Sequence, residues 1–148
     1  MAKLKTYKGL KAKADKLYSE VIRSVGYCES CNGTHYLQTA HINSRRFNAT
    51  RCDTRNAYCL CAKCHRFYTD HPREFSKFIT ETWHQKVYEE VFRKSRTPTK
   101  VDWQERVDFL TRIKKGELTL NQAREMEQDI TLEYEPATKK QALRRVNK

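Results

Sequence analysis

Cys28-Glu-Ser-Cys31 and Cys61-Ala-Lys-Cys64 bracket the stretch that decides how this chain folds, residues 28 to 71: CESCNGTHYLQTAHINSRRFNATRCDTRNAYCLCAKCHRFYTDH. A single Cys-x-x-Cys unit is ambiguous between metal and redox chemistry. Two of them in one short domain supply four thiolates. Each pair sets two sulfurs on one tight turn, and the two turns together close a tetrahedron. No βαβ pattern surrounds them, as a thioredoxin-type pair would require. The spacing predicts a structural zinc on Cys28, Cys31, Cys61 and Cys64, with no coordination position left open for chemistry.

The segments inside the bracket read as a small α+β unit. Asn32-Gly33 suits a tight turn. Residues 36 to 42, YLQTAHI, are rich in β-branched and aromatic side chains and predict a strand, and residues 57 to 60, AYCL, the returning strand. Residues 43 to 55 read as a polar loop carrying Arg45, Arg46, Arg51 and Arg55. The second cysteine pair opens a short helix that carries Cys64 and His65. Cys59 falls in an apolar run and reads as a core residue; Cys52 has no assignment.

Outward from the bracket the periodicity is helical. Leu10, Ala14, Leu17 and Val21, widened by Ile22 and Val25, predict a helix over residues 1 to 25, and Gly26 can end it. Lys3, Lys5, Lys8, Lys11, Lys13 and Lys16 crowd its first half, as either a solvated face or an arm along a phosphate backbone. Asp70 can cap the next helix, with Pro72 in its first turn. Phe75, Phe78, Ile79, Val87, Val91 and Phe92 form its stripe, up to about Arg93. Thr99-x-x-Asp102 resembles a capping arrangement ahead of a helix marked by Trp103, Val107, Leu110 and Ile113, which Gly116 ends. Thr119-x-x-Gln122 can start a last short helix with Ala123, Met126 and Ile130. The expected layout is a basic N-terminal helix (1–26), a zinc-stabilised core with the following helix (27–95), a helical extension (96–135) and a basic flexible tail (136–148).

Composition narrows the function classes. At 148 residues, 38 % hydrophobic and 32 % charged, the chain should form one compact domain with a small core, which a metal staple would help to fold. The formal net charge of +12 makes nucleic acid the leading partner. A generically basic surface, or a face for an acidic protein, is the plainer alternative. The N-terminus has positive charge but no apolar core behind it, so it does not read as a signal peptide, and no run approaches a membrane span. With paired cysteines that suit zinc, this predicts a reducing, cytoplasmic setting.

Three residues inside the zinc frame carry the chemistry of phosphodiester cleavage. That reaction needs a base for water, a cation for the developing charge, and something to hold the base. His41 titrates near neutrality and can be the base. Asn56 offers an uncharged carbonyl that can orient an imidazole or shape a turn. His65, beside Cys64, can ligate a metal on a helix that zinc already anchors.

In Leu37-Gln-Thr-Ala-His41-Ile, Asn56 and Leu60-Cys-Ala-Lys-Cys64-His65, the sequence resembles the HNH endonucleases of the ββα-metal fold, over about residues 28 to 75. The resemblance implies His41 as general base, Asn56 as its support and His65 as ligand of a catalytic divalent cation, Mg²⁺ or Mn²⁺. The run AHINSRR through TRCDTRNAYCLCAKCHRFYTDHP looks like a zinc-stabilised subgroup encoded by bacteriophages and prophages. Many members carry Asp or His directly before the base, where this chain has Ala40, and some carry His where it has Thr69. Asp53, Asp70 or His71 can replace the missing ligand, or water and DNA phosphate can. Arg45, Arg46, Arg51 and Arg55 would lie near the scissile phosphate as backbone clamps. The expectation is a metal-dependent DNA endonuclease acting as a monomer or homodimer. The alternatives are a zinc-stabilised DNA-binding or architectural protein that cuts weakly or not at all, and a nuclease for branched recombination DNA.

Overall fold

The computed structural model describes residues 7–83 and 85–127. Seven helices and two strands follow in the order α1 (Tyr7–Arg23), β1 (Leu37–His41), α2 (Asn48–Arg51), β2 (Ala57–Cys61), α3 (Ala62–Asp70), α4 (Pro72–Thr82), α5 (Gln85–Arg96), α6 (Trp103–Lys114) and α7 (Leu120–Met126). The chain is thus mixed, with helices around a two-stranded antiparallel sheet. His41 pairs with Ala57, Thr39 with Cys59 and Leu37 with Cys61.

β2 is buried on both faces, and this organises the molecule. Side chains alternate across a strand. Ala57 and Cys59 enter one core with Ala14, Leu17, Val21 and Ile22 of α1 and Trp103, Val107, Leu110 and Ile113 of α6. Tyr58 and Leu60 enter a second core with Cys28, Ala40 and Ile79, bordered by Tyr68, Phe75, Phe78 and Trp83. The Tyr58 ring lies 4.9 Å from Phe78 and 6.1 Å from Trp83, within range of offset and edge-on aromatic packing. Both α1 and α6 therefore share a core with the sheet.

Helix ends explain several boundaries. Asp102 caps α6 by accepting from Glu105 N, so the cap is the second member of the Thr99-x-x-Asp102 pair. Gly116 has φ +80°, and Glu117 N donates to Arg112 O while Gly116 N donates to Ile113 O, which closes α6 with a left-handed stop. Thr119 and Gln122 form the expected reciprocal capping box of α7. Asp70 does not cap α4: it ends α3, and His71 serves as junction between the two helices, with Pro72 at the first helical position of α4. The single helix expected from Pro72 to Arg93 is broken at Trp83, where ψ is extended and the ring turns into the second core. Ile130 and the tail from residue 136 lie outside the described residues. Among those described, no helix is long and apolar enough to cross a membrane.

The segment from 43 to 55 departs most from its sequence reading. It holds the one-turn α2, and residues 52 to 56 are all buried. Arg55 is 1 % exposed; its Nη2 and Nε bond Asp53 and its Nη1 bonds Glu90 of α5 at 2.9 Å. Lys94 reaches the same Asp53 carboxylate at 2.6 Å. Burial alone would raise the Asp53 carboxyl, but Arg55 and Lys94 hold it well below the usual carboxylate range. On the other side, Glu127 accepts from Thr54 N and Thr54 Oγ1 and pairs with Arg106, while Arg124 Nε donates to Thr54 O.

Removing one member of a buried ion set leaves an uncompensated charge and costs about 3–5 kcal/mol. Arg55→Met alone should lower stability by that order in urea melts, and adding Asp53→Leu and Glu90→Leu should recover most of the loss. Because the Asp53 carboxyl is depressed in the folded state, its contribution is complete above about pH 4 and is lost as pH falls through its folded-state value. Acid unfolding of Asp53→Asn should accordingly be less steep than that of the wild type.

Candidate functional site

The four cysteines come together as the spacing predicts. Their Sγ atoms all lie within 4.8 Å of one another, and Cys31 and Cys61 are 3.7 Å apart. A tetrahedral ion with bonds of about 2.3 Å to sulfur needs an S···S edge of about 3.8 Å. The donor set therefore fits a metal such as zinc. Local hydrogen bonds shape each half. Cys28 N donates to Gly33 O and Asn32 N to Cys28 O, with Asn32 at φ +65°. Gly33 N donates to Cys31 Sγ at 3.4 Å, and a Cβ on Gly33 would stand 3.3 Å from that sulfur. Cys61 caps α3, its sulfur accepting from Cys64 N.

Burial would raise the Cys28 thiol, but backbone N–H groups of Cys61, Cys31 and Ser30 bring it down to about 7. Burial and the neighbouring sulfurs push Cys64 up to about 12. Glu29 ties the first half to β2, its N donating to Cys59 O and its carboxylate accepting from Cys59 N, both at 2.8 Å. Cys59 and Cys52 are both buried outside the cluster, and burial with the nearby Asp15 raises the Cys52 thiol to about 12.

The two histidines of the expected site stand between two cavities. A groove of about 780 Å³ is lined by Lys16, Ser19, Arg23, Gln38, Arg45 and others, and a smaller cavity of about 290 Å³ by Ile42, Tyr68, Phe75, Ile79 and Tyr88; His41 and His65 line both. His41 ends β1, and its Nε2 lies 3.2 Å from Arg51 O. A carbonyl only accepts, so Nε2 carries the proton and Nδ1 is left as the basic nitrogen. Burial lowers the His41 pKa, with Arg45 adding to that against the Arg51 carbonyl. On α3, His65 Nδ1 lies 2.8 Å from Gln38 Oε1. An amide oxygen there holds the proton on Nδ1 and frees Nε2 to ligate.

The Asn56 side chain spends its hydrogen bonds on the main chain and side chain around it rather than on the His41 ring. Its Oδ1 accepts from Asn43 N and Asn43 Nδ2 at 2.9 and 3.1 Å, and its Nδ2 donates to Asn43 O and Thr50 O. Its own backbone O accepts from Ile42 N. All four bonds of the buried amide thus cross-link the two ends of the 43–50 loop. Asn56 thus holds the residue just before Arg51, whose carbonyl bonds the His41 ring.

Packing fixes the surroundings of four other expected site residues. Arg55 is locked in the core and cannot clamp DNA. Asp53 is committed to Arg55 and Lys94 and cannot ligate a second metal. The His71 ring bonds Phe67 O through Nδ1 and stacks on Phe67 at 4.4 Å. Arg51 grips Asp15 with two bonds of 2.7 Å and Arg45 O with a third. Arg45 and Arg46 remain exposed, Arg45 at the groove. Among the described residues, no group of three or more metal-ligating side chains forms around His65.

Gln38, Asn43 and Asp15 are the residues that sequence reasoning missed. Asp15 did leave a signal: it is the sole acid among the first nineteen residues. Gln38 and Asn43 left none, because their partners lie 27 and 13 residues away. Compared with models of known protein families, with curated proteins and with solved structures, the chain matches none.

Structural zinc sites contribute about 10–16 kcal/mol to folding. Protein purified without chelator should carry one equivalent of zinc by elemental analysis. Cys61→Ser or a strong chelator should abolish that equivalent and the near-ultraviolet signal of the aromatic core around Tyr58.

Proposed function

We propose that this chain is a metal-dependent DNA endonuclease of HNH type, built on a ββα-metal core that a four-cysteine zinc stabilises. One observation carries the reading: two histidines on a shared wall of a basic groove each keep one ring nitrogen open, because a backbone carbonyl or amide oxygen holds the other. The order β1, β2, α3 and the sulfur set at the start of α3 agree with it.

In this reading Lys16, Arg23 and Arg45 seat the phosphate backbone along the groove, neutralising it without reading bases. His41 Nδ1 takes the proton from water as it attacks phosphorus. The Arg51 carbonyl keeps His41 in the needed tautomer and stabilises the imidazolium that forms. Asn56 and Asn43 hold that carbonyl's loop in place. His65 Nε2 would hold a divalent cation, which supplies positive charge to the phosphate and leaving oxygens. Mg²⁺ keeps several waters, so one protein donor with water and phosphate suffices for a weakly held ion. A single site nicks one strand; a double-strand break takes two copies.

Ala40 and the absence, among the described residues, of a group of three metal-ligating side chains around His65 favour a second reading, a zinc-stabilised protein that binds DNA without cutting it. Plasmid assays separate the two. Supercoiled DNA with Mg²⁺ or Mn²⁺ should convert to nicked circles, EDTA should stop the reaction, and His41→Ala should slow it by about 10²–10⁴-fold without weakening DNA binding. A wild type that binds plasmid yet never nicks it leaves only the second reading.

The pH profile gives an independent check. A general base works unprotonated, and burial lowers the His41 pKa. The acid limb of kcat/KM should therefore fall below about pH 6.5, the ordinary histidine value. An acid limb above 6.5 would exclude His41 as the base.

A further inference from the structure

Several of the described arginines are ion-paired. Arg51 lies against Asp15, Arg55 against Asp53 and Glu90, and Arg106 against Glu105 and Glu127. Arg46 and Arg96 form no ion pair among the described residues, although fifty positions of sequence separate them. Their guanidinium carbons lie 4.7 and 4.0 Å from the centroid of one ring, Phe47, and Arg96 also lies 4.5 Å from Phe92. Both arginines are exposed, and Phe92 is 43 % exposed. Arg96 makes one further bond, from Nη1 to Ser95 Oγ at 2.8 Å.

The basic last turn of α5 complements the helix dipole, and that accounts for a cation at Arg96. It does not account for Arg46, which arrives from the 43–47 loop. Stacking on aromatic rings occupies the face of a guanidinium and leaves its edge N–H donors for an in-plane acceptor. Two such groups at one ring, with no carboxylate between them, repel one another. A phosphate oxygen pair replaces that repulsion with charge-assisted hydrogen bonds. Arg45, the chain neighbour of Arg46, lines the groove of His41 and His65.

We propose that Arg46 and Arg96, braced on Phe47 and Phe92, form a second phosphodiester-binding site that seats the DNA backbone beyond the groove. This rests on the nucleic-acid part of the reading above and not on cleavage.

The test is binding of the full chain to a labelled 24-base-pair duplex, followed by fluorescence anisotropy across a salt series. Each of Arg46→Gln and Arg96→Gln should reduce the slope of log K against log salt by about 0.9, the release from one phosphate. Arg96→Lys keeps the charge but not the planar fork and should weaken binding less than Arg96→Gln. Arg112→Gln, an exposed arginine on α6 beside Glu117, should leave the slope unchanged. Thermal melts of each variant separate folding from binding. Slopes for Arg46→Gln and Arg96→Gln that match wild type, on DNA that wild type binds, overturn the site while the nuclease reading stands. If wild type binds no duplex, the nucleic-acid reading fails. Side-chain Nε–Hε resonances of Arg46 and Arg96 should also shift on adding duplex. A shift with inorganic phosphate alone would reassign the pair to a free anion and overturn the DNA proposal.

Discussion

Arg55 cannot lose its charge, and it sits at 1 % exposure. Everything near it follows from that constraint. A buried guanidinium must be met by carboxylates in good geometry, since desolvation costs several kcal/mol for each ion. Asp53 and Glu90 supply them, and Lys94 pairs with Asp53 as well. Glu90 and Lys94 belong to α5, so the ion set nails α5 to the segment that feeds β2. The next residue is Asn56, and the one after it begins the strand that both cores share.

The same segment is gripped from the other side. Arg124 and Glu127, on and just after α7, hold both backbone groups of Thr54, and Arg124 also reaches Ala57 O at 3.3 Å. The residues after the four-cysteine segment therefore do more than follow it. They fix the main chain from which Asn56 projects, and through Thr50 and Arg51 they fix the carbonyl that holds His41. On the opposite face, Tyr18 of α1 donates to Asp53 O and lies 5.4 Å from the His41 ring. The imidazole is thus held by three layers: a carbonyl at Nε2, an aromatic ring beside it, and a cross-linked loop beneath.

The proposed division of labour places rigidity and reactivity on adjoining residues. Cys61 is at once a sulfur donor and the N-cap of α3, and His65 follows one turn later. The metal-fitting cluster, the start of the helix and the free ring nitrogen are therefore one local construction. The groove carries its charge on Lys16, Arg23 and Arg45, while the more buried arginines serve the fold.

The sequence by itself determined whatever depends on short spacing. Cys28, Cys31, Cys61 and Cys64 were legible as one metal-fitting set because each pair spans a single turn. The two strands, the Gly116 stop, the Thr119–Gln122 box and the apolar stripes of α1 and α6 were legible for the same reason. His41 and His65 could be proposed from their places on those elements. Only the tertiary structure decided what the polar residues between them do. Residues 43 to 55 read as a polar, arginine-bearing loop because their own neighbours are polar. Burial became affordable only through Asp15, Glu90, Lys94, Arg124 and Glu127, which lie 35 to 73 residues away or on the far side of the fold. Charge pairing in a protein interior is a long-range property: the penalty is set where a residue sits, and the partner that offsets it can come from anywhere the chain returns.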